Sequence, residues 1–495
     1  EGGIPQGGNG GQGGVPQGGS GGAGGEGGAG GSGGDGGEGG EGGGPPQPSC
    51  TPMLGAPVDE RCGHYVDAGA PAGGDGSMAA PFQTLAEAIA AGGDTSYYVC
   101  SSTGLAESVT VANGSTVYGN ISCTGGWEWA DIQSNWQAPV GLVALNVSGN
   151  PDAFDPNVKT HIEGFAIFGG ETNAAAKSSV AIAASYASVD LVNVEVWVDD
   201  GFAGEDGVNG VDATPNGAAG DGGDGTTLNC GPNTSPGGAA GVSSCGRNGG
   251  RGGGIIVCTV GNGLSGQGSQ NNGGQGGTTC TAGGNGTNGT NGFNGADGTL
   301  GFLTLGPGII EMDGVDGTAG AHGVGGGGGG ALLYDGETDH RMAGGGGGAA
   351  GCGGTAGTAG KSGGSSIAIV SISSLWTFTD VSVSVGMGAD GGVGGTSSLG
   401  SDGNPGGEGA TAVVDTVGFP PAPVTASACD GGSGGRGGNG GSGGNGAGGH
   451  SAIIAYREGM SPNVSAITVL AAPMIAGQGP GTAPEGVATD VLNIQ

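Results

Sequence analysis

Apolar residues along this chain fall in short islands, and the islands change character along its length. Over PFQTLAEAIA (residues 81–90) they keep helical spacing, with Phe82, Leu85 and Ile89 on one face, which predicts a helix. Short β-rich runs follow at Tyr97–Cys100, Ser108–Val111, Thr116–Tyr118, Ile162–Ile167, Val180–Ala183 and Val189–Val196, each bounded by Gly, Asn or Asp and read as strands. Beyond residue 200 glycine takes over with a period of three. It recurs at Gly201–Gly210, Gly283–Gly301, Gly314–Gly326, Gly348–Gly363 and Gly431–Gly449. Between the tracts an apolar phrase returns, SSVAI at Ser178–Ile182, SSIAI at Ser365–Ile369 and SAII at Ser451–Ile454. Each phrase precedes a second β-rich run, at Val189–Val196, Val381–Val385 and Val464–Val469. Strands and glycine tracts therefore alternate as units, and a fixed period is read before any other feature.

Three regions result. Residues 1–49 form a glycine-rich arm that keeps the three-residue register at Gly18, Gly21, Gly24, Gly27, Gly30, Gly33, Gly36, Gly39 and Gly42. Residues 50–200 carry the helix and the strand runs. Residues 201–495 interleave tracts with strands. The expected fold class is all-β, with few apolar residues to build a single large core.

The run AAPFQTLAEAIAA, followed by ESVTVANGSTVYGNIS and IEGFAIFGG, resembles the opening of pectin-lyase-like right-handed parallel β-helices. That resemblance covers about 150 residues and implies a capping helix followed by stacked rungs. The same runs also allow an ordinary β-sandwich.

A helix of three residues per turn leaves one face bare when every third residue is glycine, and two faces bare when the repeat is GGX. Such a helix has no internal hydrogen bonds, so its backbone needs partners in neighbouring helices. Broken tracts and only 24 prolines in 495 residues argue against collagen. Disorder suits the arm alone better than tracts punctuated by cysteines and strands. The tracts resemble the polyglycine-II bundles of springtail antifreeze proteins and of phage tail-fibre tip adhesins. The whole chain resembles large glycine-rich surface proteins of myxobacteria.

Composition adds limits. There are 135 glycines, and 9 Lys+Arg stand against 43 Asp+Glu, a net charge of −34. Such a surface repels nucleic acid and anionic membranes. No apolar run reaches the roughly 18 residues of a membrane span. The chain begins at Glu1 without an initiator Met, so a mature, exported product is expected. Ten cysteines (Cys50, Cys62, Cys100, Cys123, Cys230, Cys245, Cys258, Cys280, Cys352 and Cys429) include no CxxC pair and predict five disulfides. Pairing between sequence neighbours is expected, such as Cys100 with Cys123 and Cys230 with Cys245.

Catalytic signatures are absent. The nine basic residues fall in no motif, and there is neither a phosphate loop nor a nucleophile elbow. Asp190, Asp199 and Asp200 read as solvated turn residues. Asp-Gly steps at Asp206, Asp313, Asp316 and Asp390 read as acidic turns, with Ca²⁺ as the alternative and no other cofactor expected. Seven Asn-X-Ser/Thr sequons (Asn113, Asn120, Asn146, Asn233, Asn285, Asn288 and Asn463) read as turn chemistry. Trp127, Trp129 and Trp136 read as a capping or interface cluster, with a carbohydrate platform as the alternative. The expectation is a non-enzymatic, extracellular, homopolymeric filament or matrix protein whose arm packs into a neighbouring subunit. The alternatives are a cell-surface adhesin binding glycans and, behind it, a polysaccharide-active β-helix enzyme; ice binding ranks last.

Overall fold

A computed structural model describes residues 49–494 apart from Leu54, 101–102, Gly125, 215–226, 230–233, 257–258, 270–271, Gly277, 304–308, Glu311, 335–339, 416–421 and 471–473. The arm, Cys230, Cys258 and Asn233 lie outside the described residues. The described elements are mostly strands, with one α-helix and one 3₁₀ turn.

Two parallel sheets organise the chain. Their strands are β1 (His64–Val66), β2 (Ser96–Cys100), β3 (Val109–Ala112), β4 (Thr116–Ile121), β5 (Ser134–Gln137), β6 (Leu145–Ser148), β7 (Lys159–Phe168), β8 (Ser179–Ser185), β9 (Ser188–Trp197), β10 (Ser366–Ile372), β11 (Leu375–Ser384), β12 (Ser451–Arg457), β13 (Ile467–Val469) and β14 (Ala488–Asn493). The first sheet runs β1-β2-β4-β7-β9-β11-β13, with β5 also on β7, and the second runs β14-β12-β10-β8-β6-β3. Five times the chain lays a strand in the second sheet and the next strand in the first: β3 then β4, β6 then β7, β8 then β9, β10 then β11, β12 then β13. Strands from both halves of the chain share these sheets. The short hairpins elsewhere, such as Thr411–Asp415 with Pro423–Ser427, are antiparallel.

The helix α1 (Leu85–Ala91) starts later than its apolar spacing suggests. Thr84 accepts the Glu87 N–H at 3.1 Å and Glu87 returns a carboxylate to the Thr84 N–H, so the capping box leaves Phe82 outside the helix. Glu107, just before β3, accepts the Leu85 and Ala86 N–H groups at 2.7 and 3.0 Å. These bonds seat the helix against β1, β2 and β3.

The core lies between the sheets. Strand register stacks like on like: Leu145, Ile182, Ile369 and Ile454 form one column in the second sheet. Val117, Ile162, Leu191 and Phe378 form a column in the first. All eight belong to one buried cluster, which also holds Trp136 and Phe165. Each fully buried aliphatic side chain contributes about 1.5–3 kcal/mol, so a chain poor in apolar residues concentrates them here.

Two columns of left-handed residues bend the chain at equivalent places. Asn120, Gly164, Asn193 and Asp380 have φ of 52°, 82°, 50° and 52°, and the last three stand in register across β7, β9 and β11. Tyr186, Ser373 and Glu458, at φ 51°, 47° and 61°, occupy the turns between the two sheets. Asn and Asp tolerate this region better than other non-glycine residues, which accounts for three of the four residues in the first column.

The glycine tracts are neither strand nor helix. They emerge from strand ends without losing register: β8 and β10 pair Ser179 with Ser366, and β9 and β11 pair Ser188 with Leu375. Beyond those strands Met387 N–H still reaches Asp200, at the same offset of 187 residues. From there the tracts pack against one another. Gly286, Gly289, Gly292, Gly295 and Gly298 donate to the carbonyls of Ser433, Arg436, Asn439, Ser442 and Asn445 at 2.7–2.8 Å. The same tract, 431–449, bonds in three-residue steps to residues 315–327, 348–363 and 389–407.

Space, not backbone angle, demands glycine in this bundle. No glycine of 431–449 has a left-handed φ. Yet a Cβ at Gly437 would overlap the Cys352 carbonyl oxygen, and one at Gly438 the Thr290 carbonyl oxygen.

Among the described residues four disulfides form: Cys50–Cys62, Cys100–Cys123, Cys245–Cys352 and Cys280–Cys429. The expected Cys100–Cys123 pair forms. The expected Cys230–Cys245 pair does not, because Cys245 bonds to Cys352 across a sequence separation of 107. Tract packing, not chain proximity, brings those two cysteines together.

Candidate functional site

Among the described residues, the tract bundle holds a regular row of polar side chains, built mostly on Asx-Gly steps. Asn285, Asn288, Asn291, Asn294 and Asp297 each accept, through Oδ1, the backbone N–H of Ser433, Arg436, Asn439, Ser442 and Asn445 at 2.8–3.0 Å. The glycine that follows each Asx donates to the carbonyl of that same partner residue. Two bonds thus close a clamp on one residue of the next tract, and the clamp repeats every three residues. Asp200, Asp206 and Asn209 form the same clamps on Met387, Val393 and Thr396, and Asp212 clamps Leu399 with Ala213 in the place of the glycine.

Where neighbouring tracts run antiparallel, the second bond shifts by two residues. Asp313 and Asp316 accept from Ser362 and Ala359, while Gly314 and Gly317 donate to Gly360 and Gly357. Asn439 and Asn445 do the same against Gly400 and Gly394. Asp390 clamps Gln478, with Gly391 donating to the same residue. The four Asp-Gly steps expected as solvated acidic turns are backbone acceptors between tracts, with Asp206, Asp316 and Asp390 exposed and Asp313 half-buried. Burial works to raise the Asp313 carboxyl, but the Ser362 N–H, Lys361 and Lys177 outweigh it and hold it below the usual carboxylate range. Lys361 and Lys177 stand 3.0 and 3.4 Å from its oxygens.

A second cluster sits on the first sheet. His161 on β7 meets Glu163 through Nε2 at 2.8 Å and Asp190 on β9 through Nδ1 at 3.3 Å. The Glu163 contact raises the imidazole above its ordinary value, burial opposes this, and Asp190 adds to the rise. Asp190 is therefore a strand residue that pairs with a histidine, not a solvated turn. Strand register brings it opposite His161, and no linear motif announces that pair. With both ring nitrogens held by carboxylates, the cluster is arranged as a charged staple between two strands.

His450, at the end of the central tract, is the opposite case. Its Nδ1 accepts the Val487 N–H at 3.0 Å. Its Nε2 is buried and unpartnered among the described residues, and burial lowers its pKa.

The tryptophans are placed by packing. Trp136 is wholly buried in the core and Trp127 is 4% exposed, edge-on to Tyr65 at 4.7 Å. Asn120, at the head of one sequon, is buried with a left-handed backbone, and Asn285 and Asn288 serve as clamps. Asn113 accepts from Thr160 and from the Ser188 N–H, joining the turn after β3 to the strands β7 and β9. Among the described residues, the groups of three potential metal ligands that converge within 4.8 Å are Cys245, His322 and Cys352, and Asp67, Cys100 and Cys123. Each contains a disulfide, whose sulfurs are committed to one another. Among the described residues, no helix is long and apolar enough to cross a membrane.

No family model matches the chain, and neither a curated protein nor a solved structure matches it.

Proposed function

We propose that this chain is the structural subunit of a self-assembling extracellular filament or matrix, whose N-terminal arm packs as one more tract in a neighbouring subunit. One observation carries the reading: tract 431–449, a GGX repeat like the arm's, is hydrogen-bonded in three-residue steps by tracts on several sides. A GGX tract thus brings two bare faces and a row of backbone groups that require partners. The arm repeats that pattern from Gly18 to Gly42 and carries the same requirement. If it is met by a second copy, the contact is head-to-tail, and a contact that does not close grows fibres.

The finer fold reading follows the same line. Contacts repeating every three residues are what a polyglycine-II helix presents. Parallel strands alternating between two sheets favour a right-handed β-helix, since parallel crossovers take that hand. The springtail, phage-tip and myxobacterial resemblances belong with this reading. The disulfides among the described residues favour an oxidising, extracellular setting. A histidine with both nitrogens engaged by carboxylates favours a structural role over acid–base catalysis. The glycan-binding alternative is left with half-buried Trp129 of its three proposed platform residues, because Trp127 and Trp136 are buried.

Deleting residues 1–44 tests the arm's role by electron microscopy and sedimentation. Filaments of the full chain should disappear while the truncated subunit stays folded. Undiminished filaments would overturn the proposal.

A further inference from the structure

We infer that the Cys245–Cys352 disulfide is a thiol-exchange site, opened by a small external thiol. Polar groups converge on its sulfurs. The Ser244 hydroxyl stands 3.3 Å from Cys352 Sγ. The Ser243 hydroxyl lies 3.0 Å from Cys245 Sγ and 3.6 Å from Cys352 Sγ and donates its proton to the Ala350 carbonyl at 2.9 Å. A ring nitrogen of the exposed His322 lies within 4.8 Å of both sulfurs. Its Nδ1 accepts the Gly353 N–H at 2.9 Å, which places the imidazole proton on Nε2. A sulfur in a disulfide cannot donate, so the Ser244 hydroxyl is the donor towards Cys352 Sγ, while the single Ser243 proton goes to the Ala350 carbonyl. Donors around a departing sulfur stabilise the thiolate and speed its release.

The same molecule contains the opposite arrangement. Beside Cys100–Cys123 stands the carboxylate of Asp67, again within 4.8 Å of both sulfurs. A negative charge there opposes thiolate formation. Access does not separate the two bridges, since each joins one buried cysteine, Cys352 or Cys100, to one half-buried cysteine, Cys245 or Cys123. The chemistry beside the sulfurs does.

The step balances with one co-reactant. The thiolate of the external thiol attacks Cys245 Sγ, the more accessible sulfur, and forms a mixed disulfide. The Cys245–Cys352 bond breaks, and its electron pair leaves on Cys352 Sγ beside Ser244. A second external thiol then attacks the mixed disulfide, releasing Cys245 as a thiolate and the small molecule as its own disulfide. The outcome is reductive release of a staple that ties residue 245 to the interior of the bundle.

The test uses the full-length oxidised protein, reduced glutathione as the probe, N-ethylmaleimide as the trap and peptide mass spectrometry as the readout. Glutathione should appear on Cys245, and maleimide on Cys352, at least tenfold faster than either label appears on Cys100 or Cys123. Ser244→Ala should slow opening of Cys245–Cys352 threefold or more and leave the Cys100–Cys123 rate unchanged. Equal opening rates for the two bridges in the unaltered protein would overturn the inference, as would earlier opening of Cys100–Cys123 or glutathione found first on Cys352.

Discussion

Consider Gly437→Ala, a single methyl group placed in the central tract. By unfolded-state entropy alone this change should stabilise, by about 0.4–1 kcal/mol, because the site has no left-handed backbone. The packing says otherwise. The new Cβ would overlap the Cys352 carbonyl oxygen, and close behind it stand the Cys352 carbonyl carbon and Gly353 N. These are backbone atoms, held in place because Gly351 and Gly354 donate to Gly435 and Gly438 at 2.9 and 3.0 Å. Making room means parting two tracts and loosening those two bonds. At about 1 kcal/mol per bond, plus about 1–3 kcal/mol of overpacking strain, less the entropy gain, the net cost is about 3 kcal/mol. That is a loss of about 100-fold in local protection, since 1.36 kcal/mol is tenfold. Hydrogen exchange read by mass spectrometry over residues 431–449 measures it. Gly284→Ala is the control: its nearest contact is the Asn272 Cβ at 3.1 Å, a side-chain atom, and protection should change less than about threefold. If Gly437→Ala exchanged as slowly as the unaltered protein, or more slowly, the claim that close approach selects glycine here would be wrong.

The clamps predict a sharper chemical distinction. Asn291→Ala removes the acceptor of the Asn439 N–H and should cost about 1 kcal/mol, seen as roughly fivefold faster exchange at that amide. Asn291→Asp keeps the oxygen and should leave exchange unchanged. The two histidines predict opposite pH effects on thermal unfolding. His161, whose pKa is raised, contributes stability that is full below its unfolded value, about 6.5, and lost as pH rises through the folded one. His450, whose pKa is lowered, contributes stability present above about 6.5 and lost as pH falls through its folded value. His161→Gln should therefore flatten the alkaline side of the stability profile, and His450→Gln the acid side. At the bend in β9, Asn193→Gly should be nearly neutral, whereas Asn193→Val should cost about 1–2 kcal/mol, read as a lower urea midpoint. Equal midpoints for these two variants would count against a left-handed bend at that position.

The strand runs, the capping helix and the period of the glycines were all legible in the sequence, because each is a local pattern with a local cause. β-branched runs between turn residues make strands wherever they pair, and Thr84 with Glu87 makes a helix start. What the tracts are for was half legible: a bare face every third residue implies a neighbour, but not which one. Partner choice depends on offsets of 148 or 187 residues between tracts, and no local signal encodes such distances. The Asp-Gly steps show the consequence. Read alone, Asp206 and Asp316 are acidic turns; placed beside Val393 and Ala359, they are hydrogen-bond acceptors. Cys245 followed the same logic in passing over its sequence neighbours for Cys352, and His161 found Asp190 only through strand register. By itself the sequence determined that glycine is the building material and three is its period. Tertiary structure decided which tract lies against which, because only packing at backbone-to-backbone distance turns a bare face into a specific contact.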